Sequence, residues 1–302
     1  MSRPTPDLVP PELGAPSPPS DGPLRGAGPG EARAPSLAEA LVVGPAPAPQ
    51  NAALPLLELD RVSKRFGRVV VADELCLKVG ATELLGLVGP NGAGKTSLFS
   101  IISGDLAPDG GRVVFDGQVV NSLDVASRCR LGLGRTYQVP RPFEKMTVFE
   151  NVLLAAQAGA GLRRRAANEH AFWALEGTGL AGEANRVAGA LGLLSRKRLE
   201  LARALATKPR LLLLDEVAAG LTDPEVAELI GIVRQARTGP GGETAMAVVW
   251  VEHVVRALVE MAERLVCLDG GAIIADGKPG EVLADPTVKQ VYLGTEEELS
   301  GE

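Results

Sequence analysis

Between residues 56 and 294 the apolar positions follow two rhythms. "LLELDRVSKRF" and "VVVADELCLKV" read as strands, and "TELLGLVG", "PRLLLLDE" and "TAMAVVWVEH" are short apolar runs of the kind found in strands covered on both faces. "KTSLFSIISGD" reads as a helix, residues 148 to about 190 read as mainly helical, and in "RKRLELARALA" Leu199, Ala202 and Ala206 recur at helical spacing on one face. "GRVVFDGQVV" has the form of a hairpin turning at Asp116-Gly117, and "RLVCLDGGAIIADG" that of a second one, with short helices after it. Apolar strands alternating with helices predict an α/β domain around a mostly parallel sheet. There is no internal repeat.

The first 54 residues break this pattern. With Pro55 they hold 14 of the 23 prolines, in runs such as "PSPP" and "GPAPAPQ", and such a stretch buries too little apolar surface to fold. The expected organisation is a disordered tail over 1–54, one domain over 55–294 with a helical subdomain at about 139–208, and a short tail over 295–302. Hydrophobic residues make up 45% of the 302, enough for a large core, but aromatics only 3%, so Ala, Leu, Val and Gly must fill it. A net charge of −6 argues against a broad nucleic-acid-binding face, while leaving room for a local basic patch. Cys76, Cys129 and Cys267 are too scattered, and His170 and His253 too few, for a metal centre, and unpaired thiols of this kind suit a reducing compartment. No apolar run reaches the roughly 18–20 residues of a membrane span, and no secretory leader is expected. Work at a membrane would need a partner to hold the chain there.

Two motifs carry chemistry. "GPNGAGKTS" (Gly89, Pro90, Asn91, Gly92, Ala93, Gly94, Lys95, Thr96, Ser97) fits G-x-x-x-x-G-K-[ST] between a predicted strand and a predicted helix. In this setting backbone N–H groups cradle phosphate oxygens and the helix N-terminus adds its partial positive charge. Lys95 then reaches the β- and γ-phosphates and Thr96 places its hydroxyl on Mg²⁺. "LLLLDE" supplies the partner: Asp215, at the end of a buried strand, can hold Mg²⁺, and Glu216 can orient or deprotonate an attacking water.

The order GPNGAGKTS, a Gln some 40 residues on, RKRLELARALA, LLLLDE and a His after a strand resembles the ATP-binding subunit of ABC transporters over residues 56 to about 294. The resemblance implies a P-loop NTPase fold with a mostly parallel core sheet, an antiparallel β subdomain and a helical subdomain, using ATP and Mg²⁺. By position it makes Phe66 the aromatic that stacks on adenine. Gln138 becomes the glutamine that touches Mg²⁺ and the attacking water, and His253 the histidine that contacts the γ-phosphate. "RTYQVPRPFEKMTVFENVLLAA", "DEVAAGL" and the segment from "EHVVRALVEM" to "VYLG" resemble the subgroup serving branched-chain amino acid importers, much of which is shared by amide and urea importers. The implied partners are a second ATPase subunit, two transmembrane permease subunits and, indirectly, an external solute-binding protein. The implied place is the cytoplasmic face of the plasma (inner) membrane.

The chain departs from the family pattern at two places. Alignment from Leu201-Ala202-Arg203 sets "LGLLS" (Leu191 to Ser195) on the signature LSGGQ, with Gly192 for the usual Ser and Leu194 for a usual Gly; Thr222 stands where Asp or Asn is usual. The expectation is that Ser195 caps a helix starting at Arg196 and, with that helix's first N–H groups, replaces the missing donors to the γ-phosphate of a facing subunit. Arg196, Lys197 and Arg198 would then stand beside that phosphate, since three cations otherwise oppose the helix dipole. The alternatives are a catalytically weakened regulatory subunit of a heterodimer, the ATPase of a lipid-exporting ABC system, and a soluble ABC-type ATPase acting on DNA or ribosomes. The acidic balance and single ATPase domain argue against the last.

Overall fold

The structure, a computed structural model, describes residues 54–238, 246–252 and 255–299. The proline-rich stretch through residue 53 and His253 lie outside them.

Two sheets organise the described chain. The antiparallel one is built from β1 (Leu57–Phe66), β2 (Val69–Val79), β4 (Gly110–Phe115) and β5 (Gln118–Val119) in the order β2-β1-β4-β5. The turn between β4 and β5 has positive φ at both Asp116 (50°) and Gly117 (75°), the conformation that Asp-Gly favours in tight hairpins. The second sheet contains β3 (Leu84–Val88), β6 (Leu133–Arg135), β7 (Leu211–Asp215), β8 (Ala247–Val251), β9 (Arg264–Asp269) and β10 (Ala272–Gly277), ordered β10-β9-β3-β8-β7-β6. All its pairings are parallel except β9 with β10.

Every residue of β3, β7 and β8 is buried, which explains their unbroken apolar runs. Alternation along each strand divides them between two cores. Leu85, Leu87, Leu211, Leu213, Val249 and Val251 face α1 (Lys95–Ser103) and the antiparallel sheet. Leu84, Val88, Leu212, Leu214, Val248 and Trp250 face a core shared with α3 (Val148–Ala158), α4 (Arg164–Gly177), α5 (Leu193–Ala206) and α6 (Asp223–Arg237). The remaining helices are α2 (Val125–Arg130), α7 (Val255–Met261), α8 (Pro279–Ala284) and α9 (Pro286–Leu299). α9 runs past the boundary at 294 expected from the sequence, because "TEEEL" holds no helix breaker. Among the described residues no helix is long and apolar enough to cross a membrane.

Candidate active site

The C-terminal ends of β3 and β7, strands separated only by β8, carry the two motifs to one edge of the sheet. Beyond β3 the chain turns through Gly89, Gly92 and Gly94 at φ of 151°, 81° and 105° and enters α1. Glycine is required at two of these positions. A Cβ on Gly89 would stand 2.1 Å from the Leu268 carbonyl oxygen, and one on Gly94 would stand 2.3 Å from that of Val71. Lys95 is buried, its Nζ donating to the Gly89 and Pro90 carbonyls at 2.7 and 2.9 Å. Burial pushes its pKa down, opposed by the nearby Glu216, Cys267 and Asp215. Asn91, Gly92 and Thr96 are exposed, Pro90, Gly94 and Ser97 half-buried, and Ala93 is buried.

Asp215 ends β7 with 2% exposure. Its Oδ2 accepts from Arg135 Nη2 at 3.0 Å, whereas its Oδ1 is buried with no hydrogen-bond partner. Burial raises its pKa, and the Arg135 guanidinium opposes the rise. Glu216 follows at φ 48°, a left-handed conformation costly for a residue with a side chain and held only where its surroundings enforce it. Its N–H donates to the Val251 carbonyl at 2.9 Å, and its Oε2 accepts from Gln138 Nε2. The structure thus brings Lys95, Gln138, Asp215 and Glu216 together. Phe66, 52% exposed at the end of β1, stands 5.6 Å from Lys64 Nζ on the sheet whose β2 strand passes Val71 against Gly94.

Ser195 corrects the sequence expectation. α5 begins at Leu193 with an extended Gly192 (φ −70°, ψ 172°) at its N-cap, so Ser195 is the helix's third residue and caps nothing. Its hydroxyl donates to Glu183 Oε1 at 2.8 Å. The three cations do not gather at the helix end either: Arg196 donates to the Gly189 and Leu191 carbonyls, Arg198 pairs with Glu228, and Lys197 points into the protein. No side chain caps α5, and a Cβ on Gly192 would meet nothing within 4 Å.

Four further residues of the site escape motif reading. Arg135 binds Asp215, Asp105, Ser100 and Ser103 at once. Its signal was a cation at the end of the strand that pairs with β7. Lys197 donates to the main-chain carbonyls of Gln138 (3.3 Å) and Glu216 (3.1 Å). It lies on the buried stripe of Leu201, Ala204 and Leu205, where a lysine is out of place. Glu252, buried beside His253 in sequence, accepts from Ala218 N–H and Trp250 Nε1 at 2.7 and 3.1 Å. Tyr292, on α9, accepts the Gly89 N–H at 2.8 Å, and burial pushes its pKa up to about 12.

The ABC transporter family matches residues 72–219, and the branched-chain amino acid ATP-binding cassette transporter family matches 272–298, the segment that carries Tyr292. The high-affinity branched-chain amino acid transport ATP-binding protein BraF of Pseudomonas aeruginosa is 36% identical over 254 residues, covering 80% of this chain and 98% of BraF. The chain belongs to the ABC transporter ATP-binding proteins. LivG of Escherichia coli K12, which carries the same description as BraF, is 34% identical over 80% of this chain and 98% of its own length. The lipopolysaccharide export system ATP-binding protein LptB of Haemophilus influenzae is 32% identical over 81% and 99%. The solved structure of MJ1267, an ATP-binding cassette of an ABC transporter in its ADP conformation, superposes with a TM-score of 0.71 at 27% identity, covering 80% of this chain and all of MJ1267. The fold and the motif order are therefore those of an ABC ATPase, and this chain is one.

Proposed function

We propose that this chain is the ATP-hydrolysing subunit of an importer for branched-chain amino acids or a related amide or urea solute. The observation that carries the catalytic part is the Gln138–Glu216 side-chain bond beside the buried Lys95 and the unpartnered Asp215 oxygen. The N–H groups that open α1, which have no partner within the helix, take the phosphates together with Lys95. Phe66 stacks on the base. Gln138 holds Glu216 so that its carboxylate orients a water and accepts its proton as the water attacks the γ-phosphate in line. Thr96, Gln138 and Asp215 suit a hard divalent cation, and Asp215 Oδ1 is a buried acceptor with nothing else to bind. These three residues would hold Mg²⁺, which would offset negative charge on the phosphate oxygens. His253 joins as a γ-phosphate contact.

Two copies, or this chain and a homologue, face one another. The uncapped N-terminus of α5 gives backbone N–H groups to the partner's γ-phosphate, and Ser195 takes no direct part. The permease pair holds the dimer at the cytoplasmic face of the membrane. It docks in an apolar groove of about 350 Å³ lined by Phe143, Leu154, Ala155 and Ala158. An external binding protein delivers the solute, and no nucleic acid takes part. The solute class is supported by the match over residues 272–298 and by BraF and LivG. The likeness to LptB favours a second reading, lipid extraction, which only the identity of the permease separates from the first.

The test is MgATP hydrolysis per subunit at rising protein concentration, beside Glu216→Gln. Turnover that climbs with concentration and is absent from the variant supports two competent, identical sites. ATP binding with turnover no higher than the variant's, even with the permease present, would instead mark a weakened subunit that relies on a second ATPase.

A further inference from the structure

Lys197 is 4% exposed, and a buried ammonium is costly unless its protons find acceptors and its charge finds a counter-charge. Both are present. Its Nζ donates to the Glu216 carbonyl at 3.1 Å and to the Gln138 carbonyl at 3.3 Å, and the carboxylates of Glu252 and Glu216 lie close enough to act on it. A lysine needed only to fill space in a core would not choose these acceptors. They belong to the two residues whose side chains are bonded to each other. Gln138 and Glu216 are therefore joined twice, by their side chains on one side and through the Lys197 ammonium on the other. Glu216 also needs such restraint, because its left-handed backbone persists only while its neighbours enforce it. Its N–H is fixed by Val251 and its carbonyl by Lys197 and the Ala219 N–H.

We infer that Lys197 is a positioning residue for hydrolysis, clamping the main chains of Gln138 and Glu216 and tying their placement to the N-terminal half of α5. The inference rests on the ATPase reading above. It adds that each subunit's α5, whose first turn meets the partner's nucleotide, sets the geometry of its own water-activating pair. Lys197 touches no substrate; it acts through the two carbonyls.

Lys197→Met, Lys197→Gln and Lys197→Arg test this in the full chain. A displacement of about 1 Å in such a pair costs about 10²-fold in rate. The Met variant should therefore lose turnover to about that extent while binding MgATP with unchanged Kd. Arg, which can reach both carbonyls and keeps the charge, should restore most of it. Gln keeps an N–H donor group without the charge, fits the same space and falls between, and it serves if the Met variant does not fold. Amide exchange in residues 136–141 and 216–221 should quicken at least about tenfold in Met and return in Arg, while α3 and α6 stay as in the wild type. Wild-type turnover in the Met variant, unaltered exchange in both segments, or a loss of ATP affinity in step with turnover would overturn the inference. If the wild type itself hydrolysed no ATP, the ATPase reading would fail on its own, and the exchange measurement would still decide whether Lys197 holds the pair.

Discussion

At Ser195 the sequence pattern and the structure part company, and the reason is local. A serine before a charged helix has the chemistry of a cap, but the extended Gly192 starts the helix three residues earlier, and the Ser195 hydroxyl donates to Glu183 instead. Ser195→Ala should therefore lower stability by about 1 kcal/mol, the ordinary worth of one hydrogen bond, and leave MgATP turnover at the wild-type value. Urea unfolding and a steady-state assay check both halves, and a turnover defect would restore the hydroxyl as a phosphate donor. The residues legible in the sequence, Lys95, Asp215 and Glu216, sit in contiguous motifs whose strand–loop–helix setting fixes their direction. Arg135, Lys197 and Tyr292 were not legible because each reaches the site from another element. Only register and helix face carried their signals, and these become readable once the neighbours are known.

The elements themselves were largely legible, since strand burial on two faces and helical spacing leave different apolar patterns. The starts of α5 and the end of α9 were not, because caps and frayed ends depend on one or two residues. Where the cap chemistry is complete, structure and sequence agree. Thr147 accepts the Glu150 N–H at 3.1 Å, and Glu150 Oε2 accepts the Thr147 N–H at 2.8 Å, a capping box at the head of α3. Thr222 and Glu225 use the same residue types at α6. Thr147→Ala should cost about 1 kcal/mol. The bonds from Thr147 hold the Glu150 pKa below its ordinary 4.5. A depressed carboxylate adds stability above its unfolded pKa and loses it as pH falls through the folded one. Glu150→Gln keeps the geometry without the charge. Its Tm should lie below wild type at neutral pH and converge on it as the pH falls below 4.5 and on through the depressed folded value; a gap that widened in acid would refute this.

On the scale of the whole molecule, a site that hydrolyses ATP and a surface that meets a membrane protein must be separable yet joined. α5 joins them. Its N-terminal half carries Lys197 on the carbonyls of Gln138 and Glu216, and farther along Arg203 places its guanidinium 5.4 Å from the Phe143 ring centroid. Phe143 is 48% exposed, yet its main chain is held on both sides. Its N–H donates to Asn151 Oδ1 at 2.8 Å and its carbonyl accepts from Asn151 Nδ2 at 3.1 Å, with Asn151 fully buried on α3. An exposed aromatic on so rigid a bracket has its ordering cost already met, the condition that makes an interface anchor effective. Leu154, also exposed, lines the same groove with Ala155 and Ala158. A charge placed at this anchor must be desolvated when a partner docks, so Phe143→Asp should abolish association with the permease pair. It adds nothing to the Lys95, Asp215 and Glu216 cluster, so hydrolysis by the isolated subunit should persist. Co-purification with the permeases, read beside ATPase activity with and without them in liposomes, separates the two effects. Retained assembly would move the docking surface away from this groove, and loss of the isolated subunit's activity would mean that the bracket serves the active site rather than the partner.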